Sequence, residues 1–153
     1  MALNPEFVGK TYPPSPPYEV GREKVREFAT AIGDQNPAYH DVTAARALGH
    51  PDLVCPPTFP FVLGMRAMAV AMFDPDLGLN YARVVHGEQR FVYARPLCAG
   101  DEVTVTTSIE EIRQAAGNDL LTTRSEVDTV DGEHVVTLYN VIVSRGTAAG
   151  EEG

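Results

Sequence analysis

The chain has 153 residues, which suits a single domain and leaves no room for a separate cofactor-binding domain. Hydrophobic residues make up 44% and charged residues 22%, close to the globular average, so disordered and fibrous classes are excluded. The net charge of −9 opposes binding to phosphate backbones, and no apolar stretch reaches the ~20 residues of a membrane span. The start lacks a basic-then-apolar signal, so we expect a cytoplasmic protein that binds neither nucleic acid nor a membrane.

The first part of the chain predicts an extended segment followed by a helix. Four prolines lie between residues 13 and 17, where they exclude a helix and favour an extended strap over the surface. A short edge strand is predicted at 18–20. From residue 22 to 33 the apolar residues have the spacing of an amphipathic helix, on a stripe formed by Val25, Phe28, Ala29 and Ile32.

A short polar loop is predicted after this helix. Residues 34–40 are expected to form a loop or a single turn, because Asn36 precedes a proline and that position is biased away from helix. Asp41 then has the residue type of an N-cap, and it predicts a short helix over 42–48 that ends at Gly49.

The most distinctive segment is the apolar run at residues 59–73, FPFVLGMRAMAVAMF, which contains a single charged residue, Arg66. Thr58 is predicted to be the N-cap of a helix here, with Pro60 tolerated in its first turn. A helix that is apolar nearly all round is expected to be buried nearly all round, at the centre of the domain. Because an unpaired buried charge is costly, we expect Arg66 to pair with a carboxylate or to reach a dimer surface.

The rest of the chain has the composition of β-strands. Four segments rich in Val, Thr, Ile and Tyr predict strands at 84–93, 102–112, 120–130 and 135–144. Tight-turn dipeptides at Gly117–Asn118 and Asp131–Gly132 predict that the last three strands form an antiparallel meander.

One architecture buries both the apolar helix and one face of these strands, namely an antiparallel sheet curled around the helix. We therefore predict an α+β protein with a single hot-dog fold over residues 1–145 and a disordered tail over 146–153. Edge strands of such a sheet commonly pair across a dimer, which removes their exposed backbone groups.

The loop between the first two helices carries the residues best suited to catalysis. Asp34 and His40 place a carboxylate and an imidazole on one short loop. Dehydrating a 3-hydroxyacyl thioester requires the removal of an acidic α-proton and the protonation of a departing hydroxyl. A helix N-terminus near Thr58 would offer backbone N–H groups to the developing enolate. The same residue types also suit a plain turn, in which Asp34 and Asn36 cap, Pro37 rigidifies and His40 lies at the surface, so both interpretations stay open.

Several runs of sequence resemble one family. FATAIGDQNPAYHDVTAARALG resembles the hydratase-2 motif of MaoC-like (R)-specific enoyl hydratases and 3-hydroxyacyl dehydratases, and YARPLCAGDEVTV is similar to that family's strand–turn–strand signature. The opening, FVGKTY through PYEVGREKVREFA, and the PPTF entry to the apolar helix resemble the MaoC N-terminal-like branch. That branch includes the accessory subunits of the two-subunit (3R)-hydroxyacyl-ACP dehydratases of the mycolic-acid pathway. The resemblance covers about residues 5–145.

The resemblance implies an activity, but this sequence differs from the catalytic members of the family at two places. It implies a (3R)-hydroxyacyl-thioester dehydratase or enoyl hydratase of fatty-acid metabolism that acts on acyl-ACP or acyl-CoA without a cofactor. Catalytic members read Asp-x-Asn-Pro-x-His, whereas here Tyr39 occupies the histidine position and His40 follows one residue later. Catalytic members also carry a His-Gly-Met-like entry to the helix, where this chain has Pro-Pro-Thr-Phe. Both departures match an accessory subunit whose catalytic pair comes from a partner chain.

Candidate site residues follow from the loop and the resemblance. The candidate catalytic residues are Asp34 and His40. The candidate substrate-binding residues are Asn36, Tyr39, Thr58, Phe59 and His86. Three arginines are candidates to meet phosphopantetheine or an acidic carrier protein, namely Arg83, Arg90 and Arg95. The two cysteines, Cys55 and Cys98, lack metal-binding spacing and are predicted to be free buried thiols, and no metal site is expected.

Four functions compete at this point. The leading one is the substrate-binding accessory subunit of a heteromeric dehydratase. The second is a self-sufficient homodimeric hydratase that uses Asp34 and His40. The third is an acyl-thioester-binding protein without enzymatic activity, and the fourth is a hot-dog thioesterase, which is disfavoured because residues 59–73 offer no catalytic carboxylate.

Overall fold

The strands form one curled antiparallel sheet. The structure is a computed structural model that describes residues 2–147. In chain order the strands are β1 Tyr18–Glu19, β2 Val84–Tyr93, β3 Glu102–Ala115, β4 Asn118–Thr129 and β5 His134–Ser144. They are ordered β1-β3-β4-β5-β2, so β3, β4 and β5 form the predicted meander and β2 lies at one edge. The predicted α+β hot-dog architecture is confirmed.

The turn between β3 and β4 lies one residue earlier than its sequence suggested. Positive φ angles occur at Ala116 (51°) and Gly117 (75°), so these two residues, rather than Gly117–Asn118, form the tight turn. Two central residues with positive φ are typical of the turn whose twist matches a β-hairpin. The strand β3 therefore continues to Ala115, three residues beyond its predicted end at Ile112.

The three expected helices form. Within residues 2–147 the α-helices are α1 Arg22–Ala31, α2 Val42–Ala47 and α3 Pro60–Met72. The Asp41 carboxylate accepts a hydrogen bond from the Thr43 N–H at 2.8 Å, which confirms Asp41 as the N-cap of α2. Ile32 lies beyond the last turn of α1 and is 50% exposed, so the expectation that it faces the core is wrong.

Thr58 does not cap α3, which corrects the sequence-based expectation. The N-cap is Phe59, in helical backbone conformation, and it makes no side-chain capping bond. The Thr58 carbonyl, not its hydroxyl, accepts a bond from the Phe61 N–H at 3.1 Å, because the chain enters the helix through a preceding tight turn. Pro60 occupies the first helical turn, where a missing N–H costs nothing.

One side of α3 packs on the inner face of the sheet and the other side is open. Leu63, Gly64 and Met68 are buried against β3, β4 and β5. Met65 and Val70 on other faces of the helix are exposed. The expectation of burial nearly all round is therefore wrong for the chain by itself, because the sheet curls around only part of the helix. No helix within residues 2–147 is long and apolar enough to span a membrane.

The two ends of the described chain pack on the sheet. The Tyr12 N–H bonds to the Thr107 carbonyl and the Ser15 N–H bonds to the Val105 carbonyl, both at 2.9 Å, so the strap that was predicted to be extended runs beside β3. At the other end, Thr147 is buried and its hydroxyl donates to the Asp119 carboxylate at 2.8 Å. Residues 148–153, the remainder of the predicted tail, lie outside the described residues.

Candidate functional site

The loop that carries the family motif is held by its own polar side chains. The Asp34 carboxylate accepts a bond from the Asn36 N–H at 3.0 Å, and the Asn36 side chain accepts from the Ala38 N–H at 3.1 Å. A single 3₁₀ turn, Pro37–Tyr39, follows. Asp34 and Asn36 thus act as turn caps, which is the common use of these residue types before a short turn.

The His40 side chain contacts the backbone of the loop. Its Nε2 atom lies 3.0 Å from the carbonyl oxygen of Asp34. The His40 carbonyl in turn accepts a bond from Nε of Arg26 at 2.9 Å, which ties the loop to α1. The imidazole therefore hydrogen-bonds to the main chain at Asp34, and no bond joins it to the Asp34 carboxylate.

Tyr39, not His40, lines a cavity. The cavity has a volume of about 460 Å³, within the range of small-molecule sites, and we call it the Tyr39 cavity. Partial burial and the neighbouring Asp34 carboxylate raise the pKa of the Tyr39 phenol above its ordinary value. Asn36 is another of its lining residues, so the structure brings two of the predicted substrate-binding residues to one site.

Two other polar residues that line the Tyr39 cavity, His50 and Tyr93, were not among the predicted site residues. Arg95, a predicted candidate to meet phosphopantetheine or a carrier protein, lines it as well. The Tyr93 hydroxyl donates to the Pro57 carbonyl at 2.6 Å, and burial raises the pKa of this phenol. His50 comes from the loop after α2 and Tyr93 from the end of β2. Only the tertiary fold joins these segments, and no periodicity in the sequence links them.

Arg95 is half-buried and is paired with two carboxylates of the chain itself. Its guanidinium donates to the Asp101 carboxylate at 2.9 Å and to Glu133 at 2.6 Å. These two carboxylates raise the pKa of Arg95. The other two candidate arginines lie elsewhere: Arg83 donates to the Gly146 carbonyl at 3.1 Å, and Arg90 stacks over the ring of Tyr139.

Both cysteines are buried with free thiols. Burial raises the pKa of Cys98 to about 11 and that of Cys55 further. A thiol with a raised pKa is a poor nucleophile at neutral pH, so Cys55 contributes an apolar wall to the Tyr39 cavity. Within residues 2–147, no three His, Cys, Asp or Glu side chains gather in the manner of a metal site.

The structure separates the remaining candidates from this cavity. Thr58 is exposed in the turn before α3, and Phe59 is fully buried, with its ring 5.4 Å from that of Phe28 in an edge-on arrangement. His86 stacks on Phe61, with 5.3 Å between the ring centres.

A second cavity of about 230 Å³ contains His86, and we call it the His86 cavity. Three methionines of helical spacing also line it, namely Met65, Met68 and Met72. Methionine is unbranched and adaptable, so these side chains suit an apolar ligand as well as a core.

The curled sheet around a central helix, with a Gly-Asp-x-Asn-Pro loop beside a cavity, defines a MaoC-like hot-dog protein of the dehydratase class. A solved MaoC-like dehydratase superposes with a TM-score of 0.85 at 35% identity over 91% of this chain. This chain spans 42% of the length of that protein.

The chain belongs to the FAS1-like dehydratase domain region family, whose model matches residues 6–138. It is 58% identical over 145 residues to a UPF0336 protein of Streptomyces coelicolor, covering 95% of this chain and 97% of that one. It is also similar to a chain of the HadBC (3R-hydroxyacyl-ACP dehydratase) complex of Mycobacterium tuberculosis, at 33% identity and a TM-score of 0.77. That match covers 87% of this chain and 92% of the other.

Proposed function

We propose that this protein is the substrate-binding accessory subunit of a (3R)-hydroxyacyl-thioester dehydratase, and that a partner chain supplies the catalytic aspartate and histidine. One observation carries the proposal: Tyr39 lines the cavity, while the His40 imidazole bonds to the carbonyl of Asp34. A carboxylate and an imidazole that do not face one cavity are poorly placed to transfer protons to one substrate.

The chemistry of Tyr39 supports binding more than proton transfer. A tyrosine phenol is protonated at neutral pH and is then a weak base, and the raised pKa of Tyr39 keeps it in this state. A neutral phenol donates a hydrogen bond and offers an apolar ring, which suits contact with the thioester or its acyl chain. The substrate would be an acyl-ACP or an acyl-CoA in the cytoplasm, as the sequence predicted.

Membership of a dehydratase family and similarity to a chain of the HadBC complex support the reaction class and a heteromeric assembly.

The chain also presents a surface that suits a partner. Met65, Phe73 and Tyr81 are large, apolar and exposed by 38%, 65% and 56%. They lie near β2, whose outer edge pairs with no other strand of residues 2–147. We call these three residues and the free edge of β2 the partner face.

We propose that a second subunit of the same fold binds the partner face. A free strand edge accepts a strand from another chain through main-chain hydrogen bonds, and the exposed apolar residues beside it lose contact with water. A second hot-dog subunit with an intact Gly-Asp-x-Asn-Pro-x-His motif would supply both the strand and the catalytic pair.

The experiment is co-expression with a MaoC-like chain that carries this intact motif, followed by assay of (3R)-hydroxyacyl-CoA dehydration. Asp→Asn in the partner's motif should lower the rate by about a hundredfold or more, which is the usual contribution of a general acid or base. The matched variant Asp34→Asn should leave the rate within about twofold, because the amide oxygen still accepts the Asn36 N–H bond. The reverse pattern would assign catalysis to this chain and contradict the proposal.

A further inference from the structure

A third cavity lies under the proline strap, on the side of α3 that faces β3. It has a volume of about 490 Å³ and its walls come from the strap, the helix and the strand. The helix contributes a stripe of helical spacing, formed by Leu63, Arg66, Ala67 and Val70, and β3 contributes Val105 and Thr107. We call it the strap cavity.

Most side chains that line the strap cavity are apolar, and the hydroxyl groups of Ser15 and Thr107 are already hydrogen-bonded. The Thr107 hydroxyl lies 2.8 Å from that of Ser125, and the Ser15 hydroxyl accepts from the Val105 N–H at 2.9 Å. The strap residues on both sides of Ser15 are prolines, which have no backbone N–H to donate. Leu63 and Val105 form the floor, and both are buried.

Arg66 stands at the rim of this apolar cavity without a carboxylate partner. Within residues 2–147 no Asp or Glu oxygen lies within 4.0 Å of its guanidinium, although the sequence led us to expect such a pair or a dimer contact. Its guanidinium lies over the ring of Tyr18, whose centre is 5.4 Å from Cζ. The side chain is exposed, so its donors are available to an anion.

The combination of an apolar slot and a free guanidinium at its mouth is complementary to an amphiphilic anion. Arginine matches a carboxylate with two parallel hydrogen bonds, and this geometry discriminates against an uncharged polar group. The cavity volume of about 490 Å³ lies within the range of small-molecule sites and suits an alkyl chain of medium length.

We propose that the strap cavity binds a medium-chain fatty carboxylate, with the alkyl chain between strap and helix and the carboxylate on Arg66. The site is separate from the Tyr39 cavity and goes beyond the proposed dehydratase role. It also lies at the β1–β3 side of the sheet, whereas the partner face lies at the β2 edge. Binding therefore leaves the partner face free.

The test is a titration of the full-length protein with decanoate and with decan-1-ol, followed by calorimetry and by amide NMR shifts. Arg66→Met keeps the apolar stem and removes the charge, and it should weaken decanoate about tenfold while leaving decan-1-ol unchanged. Arg90→Met is the matched control, because Arg90 also forms no ion pair within residues 2–147 but lies outside the cavity. It should leave both affinities unchanged.

A second variant tests the location independently of charge. Val70 is 55% exposed at the mouth, so Val70→Trp should block entry without changing the melting temperature. Decanoate should shift the amides of Leu63 and Val105 in the wild type. Equal decanoate affinity in Arg66→Met, shifts confined to the Tyr39 or His86 cavities, or no binding to the wild-type protein would each overturn the proposal.

Discussion

Tyr39 and His40 are adjacent on the motif loop, and their side chains leave the backbone in different directions. Tyr39 ends the 3₁₀ turn and His40 is its C-cap. In a turn of three residues per revolution, neighbouring side chains diverge by about 120°. The aromatic ring of Tyr39 therefore reaches the cavity, whereas the imidazole returns to the carbonyl of Asp34.

The pKa of Tyr39 provides a test at this scale. The Asp34 carboxylate helps to raise this pKa, because ionising the phenol would place a second negative charge beside the first. Asp34→Asn removes that charge, so the pKa of Tyr39 should fall toward its ordinary value. Titration of ¹³Cζ-labelled tyrosine by NMR, with Tyr39→Phe to assign the signal, measures the change.

Glu110→Gln, which removes a carboxylate from the exposed part of β3, serves as the control and should leave the Tyr39 titration unchanged. An unchanged pKa in Asp34→Asn would mean that the carboxylate does not act on the phenol, and the described arrangement of the loop would be wrong.

The sequence was sufficient to locate the motif loop, its turn and the displaced histidine. It was not sufficient to identify His50 and Tyr93 as residues of the same cavity. These come from separate segments that the fold brings together, and a single sequence carries no signal of such a contact.

At the scale of secondary-structure elements, α3 approaches the sheet closely at Gly64. A Cβ atom at this position would lie 2.7 Å from Cδ2 of Leu138 on β5, well inside van der Waals contact. The absence of a side chain at Gly64 thus sets the distance between the helix and the strand. The sequence showed an apolar helix but not which of its residues needed to be small.

Gly64→Ala should destabilise the protein by about 1–3 kcal/mol through overpacking, although alanine is the better helix former. Leu138 is fully buried, and Leu138→Ala alone should cost about 2–5 kcal/mol. In the double variant the added methyl has room, so the cost of Gly64→Ala should largely disappear. Urea unfolding of the four proteins measures the coupling, and strictly additive effects would contradict the close approach.

Hydrophobic periodicity predicted the helices and strands well, since each element has one face that avoids water. It could not predict that one side of α3 is exposed in the single chain. An apolar composition indicates that a helix face is buried, but not whether the same chain or another chain buries it. The helix start was also misplaced, since Thr58 has a suitable side chain for capping but the backbone there forms a turn instead.

At the scale of the whole molecule, the partner face is the surface that the single chain leaves uncovered. Exposed rings at Phe73 and Tyr81 lie 5.3 Å apart beside the open side of α3. Exposed apolar residues that adjoin one another beside a free strand edge suit an interaction surface. The partner subunit that we propose would cover this surface and pair with the free edge of β2.

Phe73→Glu should abolish assembly with the partner, because it places a charge on the apolar partner face. Phe73 is 65% exposed, so the substitution should leave the folding of the single chain unaffected. Val130→Glu is the control, since Val130 is 48% exposed on the β4–β5 turn, away from this surface. Size-exclusion chromatography with light scattering should report a monomer for Phe73→Glu and an intact assembly for Val130→Glu. An intact assembly in Phe73→Glu would show that the partner face is not the interface.

The central claim is that this chain binds substrate and does not by itself catalyse the reaction. The most direct measurement is the rate at which the purified chain, without a partner, hydrates crotonyl-CoA. We predict no activity above background, and no effect of Asp34→Asn. Hydration at ordinary enzymatic rates that falls by about a hundredfold or more in Asp34→Asn would contradict the claim and identify a self-sufficient hydratase.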